Sequence, residues 1–425
     1  MSDSIPDLLS GFDGGRLWAD LEQLATFQDA DAPPFTRRSF GPVYEQARSW
    51  LRERMEEAGL ATRRDAAGSL IGHRPGTRDL PLLVVGSHID TVHGAGRFDG
   101  ALGVLAAVEI ARVLGSSGYE LSHPLEVVDF TGEEPNRFGS SCVGIRAWAG
   151  RLDARLLALT DPRGETLAEA MGRAGANSER VSEAVRESGS LAAYVELHIE
   201  QGPVLEKNEL DVGIVNGIVG IRRIRARLTG QPSHAGTTPI GRRRDALAAA
   251  SELVLAVEHE AREAAGELIG TVGRVLVEPN APNVVPGFVE LAFEVRSLDE
   301  TRLDAAIERI ETAGKEAGAA RGVDVVFDVL SELPSVVADP RVRSALENGA
   351  IEAGSRMMTM PSWGGHDASQ IAHIAPVGML FTPSRDGLSH HHDEWTTPEQ
   401  CANAGRALLA GLVVLDERLA ADTTV

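Results

Sequence analysis

The stretch that decides the fold is residues 82–114, LLVVGSHIDTVHGAGRFDGALGVLAAVEIARVL. It opens with the apolar run Leu82–Val85, which stands between Pro81 and Gly86 and predicts a short strand buried on both faces. It closes with Gly100–Leu114, which predicts a helix. A buried strand followed by a helix is the repeating unit of α/β proteins, so the polar residues between them should lie at the carboxyl end of the strand.

Alternating strand and helix patterns continue on both sides of this stretch. Val43–Leu60 predicts an amphipathic helix, Leu125–Phe130 predicts another buried strand, and Pro376–Phe381 predicts a strand near the C-terminus. In Tyr194–Ile199 the side chains alternate, with His198 on the opposite face from its apolar neighbours. The fold class predicted from these patterns is α/β.

The pattern changes in the middle third of the chain. Asp245–His259 predicts a helix, and Phe288–Arg296 alternates between apolar and charged residues, which is typical of a strand with one wet face. Further strand and helix patterns around them indicate a small open-faced α+β layer. We therefore predict one discontinuous domain, 1–214 with 331–425, and a second domain inserted at 215–330.

Charge and composition exclude some classes of partner. The 425-residue chain carries 62 acidic and 41 basic residues, for a formal net charge of −21. Nucleic acids and anionic membranes both require basic patches, so neither is expected to bind, whereas a small anionic substrate remains compatible with a local arginine. The two cysteines, Cys142 and Cys401, form no disulfide framework, and residues 1–15 show no signal-peptide pattern. The sequence thus predicts a cytoplasmic protein without a membrane span.

Residue types that bind metals recur where the predicted strands end. They are His88 and Asp90 after the first strand, Asp99 before the first helix, Glu133 and Glu134 after the second strand, His198 within the third, and His390 after the last. In an open α/β sheet, ligands bind at the carboxyl ends of strands, so these clusters are expected to converge.

The types of these residues indicate what they would bind. Histidine and carboxylate together suit zinc, manganese or cobalt better than calcium or magnesium. A carboxylate can bridge two ions, and paired ions acidify water and polarise a carbonyl group. Glu133 and Glu134 are adjacent, so one can bind metal while the other stays unligated and accepts the proton from water. Asp90 is placed to hold the His88 imidazole by a hydrogen bond.

Each of these features by itself also has a plain structural explanation. A single histidine after a strand is more often an ordinary hydrogen-bonded residue, and the pair Glu133-Glu134 is usually a solvated turn. The run His390-His391-His392 is compatible with an incidental metal-binding loop. Their occurrence together at the ends of separate strands favours a metal site.

Seven blocks of sequence carry a family resemblance. In chain order they are GSHIDTVHGAGRFDGALGV (86–104), FTGEEPNRFG (130–139), ELHIEQGPVLE (196–206), GQPSHAGTTP (230–239), PNVVPG (282–287) with EVRSLD (294–299), GGHDAS (364–369) and PSRDGLSH (383–390). Together they resemble the N-carbamoyl-L-amino acid hydrolase, allantoate amidohydrolase and β-ureidopropionase family, within the two-zinc aminopeptidase and carboxypeptidase superfamily. The resemblance implies a mixed-sheet, metallopeptidase-like catalytic domain with an inserted lid or dimerisation domain.

The resemblance also implies a metal-ligand set and a base. Asp99 would bridge two divalent ions, of which zinc is preferred and manganese, cobalt or nickel are alternatives. The ligands of one ion would be His88, Asp99 and His198, and those of the other Asp99, Glu134 and His390. Glu133 would be the general base, assisted by Asp90.

Four further residues would bind the substrate if the resemblance holds. Gln201 would contact the ureido end, and His234 would stabilise the oxyanion. Asn283 and Arg296 would bind the substrate carboxylate, and the strand pattern independently places Arg296 on a wet face, where its fork fits a carboxylate. A surface ion pair is the alternative for Arg296. The family also implies a homodimer in which His234 serves the partner's site.

Two departures from the family pattern affect this prediction. The block Gly132-Glu133-Glu134-Pro135-Asn136 differs from the usual form after the glutamates, so the pocket wall and the substrate within the class are open. His391 and His392 stand where Ser and Pro are more usual, so His391 competes with His390 as a ligand.

His198 favours the ureido-cleaving branch, because peptidases and deacylases usually carry a carboxylate at this position.

The predicted function is metal-dependent hydrolysis of the C–N bond of an N-carbamoyl-L-amino acid or related ureido acid. The products would be the amino acid, ammonia and carbon dioxide. The alternative enzyme is an N-acyl-amino acid deacylase or dipeptidase on the same scaffold. A catalytically inactive metal-binding protein is disfavoured, because a binder needs no unligated base such as Glu133 beside its ligand.

Overall fold

Strands and helices alternate along the computed structural model, which describes residues 4–422. The strands are β1 (Ala61–Arg64), β2 (Leu70–Arg74), β3 (Leu82–Ser87), β4 (Leu125–Asp129), β5 (Leu191–Ile199), β6 (Val212–Ile218), β7 (Gly220–Thr229), β8 (Ser233–His234), β9 (Ile269–Glu278), β10 (Val284–Val285), β11 (Phe288–Ser297), β12 (Asp324–Leu333), β13 (Val336–Val337), β14 (Met357–Ser362) and β15 (Val377–Thr382). The predicted strand Leu82–Val85 is the first part of β3.

The α-helices connect these strands and cover the sheets. They are α1 (Ile5–Gly11), α2 (Gly14–Ala25), α3 (Pro42–Glu57), α4 (Ala101–Ser117), α5 (Val143–Trp148), α6 (Ala154–Leu157), α7 (Leu167–Arg173), α8 (Val204–Lys207), α9 (Ala246–Glu263), α10 (Glu300–Ala319), α11 (Pro340–Glu352), α12 (Asp367–Ile371) and α13 (Pro398–Asp422). None of the helices within residues 4–422 combines the length and the apolar character that crossing a membrane requires.

The chain divides into two units, Met1–Asn216 with Ala338–Val425, and Gly217–Val337. The sequence placed the junctions after residues 214 and 330. The second junction lies later because β12 extends to Leu333 and is followed by β13, which pairs with the end of β6.

The first unit is built on a mixed sheet, which confirms the predicted α/β class. Its strand order is β1-β2-β4-β3-β5-β15-β6, and β14 also pairs with β6. The central strands β4, β3, β5 and β15 are parallel, whereas β2 and β6 join antiparallel at the flanks. From Ala101 to Leu114, α4 is buried at every residue except Arg112, because it packs inside the main hydrophobic core. This burial explains the long apolar run that follows the first strand.

The second unit is an antiparallel sheet with two helices on one face. The strand order is β12-β7-β11-β9, and α9 and α10 pack against it through a separate apolar core. Residues of β11 alternate between buried and half-buried, as the sequence pattern predicted. The half-buried set includes Arg296, so this arginine lies on the face away from the helices.

Candidate metal centre

The predicted ligands converge at one edge of the first unit's sheet. Because β3, β4, β5 and β15 are parallel neighbours, their carboxyl ends meet at the same edge. The residues at this edge are His88 after β3, Asp99 before α4, Glu133 and Glu134 after β4, His198 near the end of β5, and His390 after β15. All of them belong to the first unit.

His88, Asp99 and His198 form the first ligand group. Asp99 Oδ1 lies 3.1 Å from His198 Nε2 and 3.5 Å from His88 Nε2. The opposite ring nitrogens are held by main-chain carbonyls: His88 Nδ1 lies 3.0 Å from Asp90 O, and His198 Nδ1 lies 2.9 Å from Ile199 O. A neutral ring that donates from Nδ1 keeps its lone pair on Nε2, so each imidazole can present a metal-binding nitrogen on the side of Asp99 once its second proton has left.

Asp99, Glu134 and His390 form the second group. His390 Nε2 lies 3.3 Å from Asp99 Oδ2 and 3.3 Å from Glu134 Oε1. The two oxygens of Asp99 therefore face different groups, which is the arrangement that a carboxylate bridging two ions requires. Three imidazoles and two carboxylates are a donor set that suits two divalent transition metals.

The loop after β15 distinguishes His390 from His391. His390 adopts a left-handed backbone conformation, with φ of 55°, and this turns its ring toward the second group. His391 instead belongs to a separate cluster with His392 and Asp393, in which the two rings stack with centroids 4.3 Å apart. Of the three consecutive histidines in this loop, His390 is the one that lies in a group with Asp99 and Glu134.

The electrostatics of the cluster favour bound positive charge. Burial lowers the pKa of His198, but the charge and the hydrogen bond of Asp99, together with the charge of Glu196, outweigh it and raise that pKa to about 9. Hydrogen bonds to Asp99 and Glu134 raise the pKa of His390 to about 11. The imidazoles thus hold protons to compensate the buried carboxylates, and divalent cations can take the place of those protons.

The Asp90 carboxylate has a different partner from the one that the sequence suggested. It lies 3.9 Å from His88 Nδ1, whereas the main-chain carbonyl of Asp90 makes the closer contact. The two carboxylate oxygens instead accept hydrogen bonds from the backbone N–H groups of Glu133 and Glu134, each at 3.2 Å. Asp90 therefore fixes the peptide segment that carries both glutamates.

Glu133 lies beside the two ligand groups and belongs to neither. Its Oε2 atom is 3.7 Å from His88 Nε2, and burial raises its pKa to about 8. A buried carboxylate next to the ligands but outside both groups is available to exchange a proton with water.

Three residues around Asp99 complete its hydrogen bonding, and two of them were not assigned a role from the sequence. Gln201 Nε2 donates to Asp99 Oδ2 at 2.7 Å, and the Ser389 hydroxyl donates to the same oxygen at 2.8 Å. Glu394 accepts from the backbone N–H of Phe98 at 2.8 Å and that of Asp99 at 3.2 Å. The sequence signal that could have found them is position, because Ser389 and Glu394 lie on either side of the run His390-His391-His392-Asp393.

The second unit holds His234 and Asn283 close together. His234 in β8 pairs with Val284 in β10, and the N–H of Ala235 donates to Asn283 O at 3.0 Å. His234 Nδ1 accepts from the N–H groups of Gly236 and Thr237 at 3.0 and 3.2 Å. The neutral ring therefore carries its proton on Nε2, as a hydrogen-bond donor to an oxyanion must.

Arg296 lies far from this pair within one chain. In the β7–β11 ladder, Phe288 pairs with Thr229 at the end next to β8 and β10, while Arg296 pairs with Ile221 at the other end. Eight residues of strand separate Phe288 from Arg296, or roughly 26 Å. Arg296 Nε donates to Glu294 at 2.6 Å. The expectation that Asn283 and Arg296 bind one carboxylate is therefore not met within a single chain.

Comparison with known proteins agrees with the fold and the site. Residues 84–413 match peptidase family M20/M25/M40. The chain is 40% identical over 396 residues to the N-carbamoyl-L-amino acid amidohydrolase of Geobacillus stearothermophilus, spanning 93% of this chain and 97% of that protein. It is 35% identical over 410 residues to the ureidoglycolate hydrolase of Oryza sativa subsp. japonica, spanning 95% and 85%.

A solved structure gives the same assignment. The hydantoinase/carbamoylase family amidase of Burkholderia multivorans is similar with a TM-score of 0.89 and 32% sequence identity, over 95% of this chain and 98% of that chain. The parallel central strands, the two ligand groups that share Asp99 and the match over residues 84–413 agree with one another. The chain therefore belongs to peptidase family M20/M25/M40 and is a hydrolase of that family.

Proposed function

We propose that this protein hydrolyses the C–N bond of an N-carbamoyl-L-amino acid or a related ureido acid to the amino acid, ammonia and carbon dioxide. The observation that carries the proposal is the shared carboxylate of Asp99, one oxygen of which faces His198 and the other His390. The unligated Glu133 beside them adds a base. The relatives named N-carbamoyl-L-amino acid amidohydrolase and ureidoglycolate hydrolase support this substrate class.

The residues present fit a pair of divalent ions. One ion would be held by His88, Asp99 and His198, and the other by Asp99, Glu134 and His390. When bound, such ions supply Lewis acidity, which makes water more acidic and polarises a carbonyl group. Zinc is the metal we propose, because imidazole and carboxylate donors in small groups suit it, with manganese, cobalt or nickel as alternatives.

Glu133 is proposed to move the proton. It would accept a proton from the attacking water and deliver it to the leaving nitrogen. Asp90 contributes by holding the backbone N–H groups of Glu133 and Glu134, which keeps the base and the ligand carboxylate at a fixed separation. A protein that only binds metal has no need of this unligated carboxylate.

Four polar residues are proposed to bind the substrate. Gln201 would contact the ureido group, since its amide already points at the Asp99 carboxylate. His234 would donate from Nε2 to the developing oxyanion, with Asn283 beside it. Arg296 would bind the substrate carboxylate as a bidentate fork, in exchange for part of its contact with Glu294.

We also propose that the protein is a homodimer with shared sites. A small ureido acid cannot touch both ends of β11 in one chain, because roughly 26 Å separates Phe288 from Arg296. If one protomer supplies Arg296 to a site, His234 and Asn283 must come to that site from its partner. The second unit would then act as the dimerisation domain and as a lid.

Cytoplasmic location belongs to the same proposal. Both cysteines, Cys142 and Cys401, are buried and free, which fits a reducing compartment. The high negative charge of −21 also disfavours nucleic acid and anionic lipid as partners.

A substrate panel tests the proposal most directly. Metal-loaded protein should release ammonia from N-carbamoyl-L-amino acids, allantoate or ureidoglycolate, and each carbamoyl amino acid should yield its amino acid in equal amount. Membership of a peptidase family makes a deacylase or dipeptidase the second candidate. That candidate predicts acetate from N-acetyl amino acids or two amino acids from dipeptides. Cleavage of those compounds with no ammonia from the ureido acids would refute the proposal.

A further inference from the structure

Asp367, in the GGHDAS block, has no role in the chemistry described so far, yet its environment is unusual. Its side chain is 0% exposed, and neither carboxylate oxygen has a hydrogen-bond partner among the described residues. One of its oxygens, a carboxylate oxygen of Glu133 and the sulfur of Cys142 all lie within 4.8 Å of one another. An unpartnered buried carboxyl group therefore stands directly beside the proposed general base.

The surrounding fold holds Asp367 in this place. Asp367 is the first residue of α12, and the next residue, Ala368, donates its N–H to Glu196 Oε2 at 3.0 Å. The other Glu196 oxygen accepts from the Ser87 hydroxyl at 2.8 Å, so α12 is tied to both β3 and β5. This buried anchoring argues that the position of Asp367 is defined by the core.

The Glu133 side of the contact is also fixed. The N–H of Cys142 donates to Glu133 O at 2.8 Å, and Cys142 Sγ lies 3.6 Å from Glu133 Oε1. The Glu133 N–H is bound by the Asp90 carboxylate. The Glu133 backbone is thus held from two directions, and its carboxylate receives a weak hydrogen bond from the Cys142 thiol at Oε1.

Burial and the neighbouring charges determine whether the Asp367 carboxyl group is neutral or ionised. Burial raises its pKa well above the ordinary range, and the carboxylates of Glu133, Glu196 and Asp90 raise it further, against a smaller opposing effect of His88. An ionised carboxylate in such a place would lack both water and a hydrogen bond, which is strongly unfavourable. Neutral Asp367, by contrast, carries an O–H that can donate to the carboxylate next to it.

We propose that Asp367 is a positioning residue for the base: as a neutral carboxylic acid it donates a hydrogen bond to Glu133 and orients that carboxylate toward the water it deprotonates. The inference rests on the proposed function, in which Glu133 is the base. An oxygen of each side chain lies within 4.8 Å of the other, and the proposed hydrogen bond requires a side-chain rotation that brings them closer. One oxygen of Glu133 is then occupied by Asp367, and the other is left to accept the proton.

Two variants separate this role from a purely structural one. Asp367→Asn keeps a neutral donor of the same shape, whereas Asp367→Leu keeps the branching at Cγ, adds some bulk and removes the donor. We expect Asp367→Asn to retain kcat within about threefold, and Asp367→Leu to lower kcat by about 10- to 100-fold, a part of the usual contribution of a general base. KM and metal content should stay near those of the parent in both variants. In a Glu133→Gln background, Asp367→Leu should cause no further loss.

Glu196→Gln is the matched control for a buried carboxyl group. Both Glu196 oxygens are already bonded to Ser87 and Ala368, so this change should lower the melting temperature without the Asn-versus-Leu pattern. Equal losses of kcat in Asp367→Asn and Asp367→Leu at full metal content would overturn the inference, because the ionised form would then be required. Parent-like kcat in Asp367→Leu would overturn it as well.

Infrared difference spectroscopy gives a readout that does not depend on activity. At neutral pH the metal-loaded parent should show a carboxylic acid C=O band that disappears in Asp367→Asn and persists in both Glu196→Gln and Glu133→Gln. Absence of that band in the parent would refute a neutral Asp367, and it would do so even if Asp367→Leu failed to fold. A parent that releases no ammonia from any ureido acid refutes the proposed function instead, and the band still decides the state of Asp367.

Discussion

The main-chain carbonyl oxygen of Asp90 lies 3.0 Å from Nδ1 of His88, whereas the Asp90 carboxylate is 3.9 Å from the same nitrogen. The residue therefore acts through two different groups. Its backbone orients a metal-binding histidine, and its carboxylate, at 3.2 Å from each N–H, holds the Glu133-Glu134 segment.

Asp90→Asn should therefore impair the glutamates more than the histidine. An amide has only one accepting oxygen, so one of the two backbone N–H groups would face an NH₂ group and lose its partner. We expect kcat to fall by about 10- to 100-fold, the usual scale for residues that orient a metal site. Both metals should be retained, as elemental analysis can check. If the variant instead loses one metal, and the molecules that keep both metals have a normal kcat, then the contact of Asp90 with His88 matters more than its contacts with the glutamates.

Metal content tests the two ligand groups. The purified protein should bind close to two divalent ions per chain, and chelation should abolish activity. His390→Ala should lose one ion and nearly all activity, because His390 Nε2 lies 3.3 Å from both Asp99 and Glu134. His391→Ala is the matched control and should keep most of both. The reverse result would move the ligand by one residue, and active protein without transition metal would exclude the mechanism.

The roles of the two glutamates can be separated by amide substitution. Glu133→Gln should keep both ions but lose roughly 10²- to 10⁴-fold in kcat, the range for a general base. Glu134→Gln, its neighbour and control, should lose an ion together with activity, since Glu134 contacts His390 and Glu133 does not belong to that group. Metal loss in Glu133→Gln with retention in Glu134→Gln would mean that the assignments are exchanged.

Metal affinity should depend on pH with a defined sign. In the metal-free protein the pKa of His198 is about 9 and that of His390 about 11, so both rings are protonated at neutral pH. These protons must leave before the nitrogens can bind metal, and affinity should therefore rise with pH and fall in acid. Calorimetric titration with zinc in two buffers of different ionisation enthalpy should show release of at least about one proton per chain. Buffer-independent heats would contradict the prediction.

Mixed dimers test whether the second unit of one protomer supplies His234 to the metal site of its partner. After subunit exchange, an equal mixture of Glu133→Ala and His234→Ala should recover roughly a quarter of parental activity, because half of the dimers are mixed and each has one intact site. Asn283→Ala should behave like His234→Ala, since the backbone bond from Ala235 to Asn283 keeps both residues in the same part of the second unit, where both are proposed to bind the substrate.

Arg296→Ala is the control for that experiment. Mixed with Glu133→Ala it should recover nothing, because Arg296 lies at the opposite end of β11 and would serve its own chain's metals. If activity returns in both mixtures, or in neither after verified subunit exchange, then the proposal that Arg296 serves its own chain and His234 the partner is ruled out.

The sequence by itself determined the class of fold and the kind of chemistry. Apolar runs such as Leu82–Val85 and the helix pattern after Gly100 are local, so the α/β class and the ligand-bearing edge of its sheet followed from them. The inserted second unit was predicted from the change in strand pattern. In the structure this unit extends to Val337, because β12 continues to Leu333 and β13 follows it.

Only the tertiary structure decided which atoms meet. His390, and not His391, lies beside Asp99, in a loop whose backbone is left-handed at His390, and no periodic pattern encodes such a conformation. The Asp90 carboxylate binds backbone N–H groups more than forty positions away, at Glu133 and Glu134. Asp367 reaches the base only because α12 is anchored on Glu196. These are long-range contacts fixed by packing, and local sequence specifies residue types without specifying such partners.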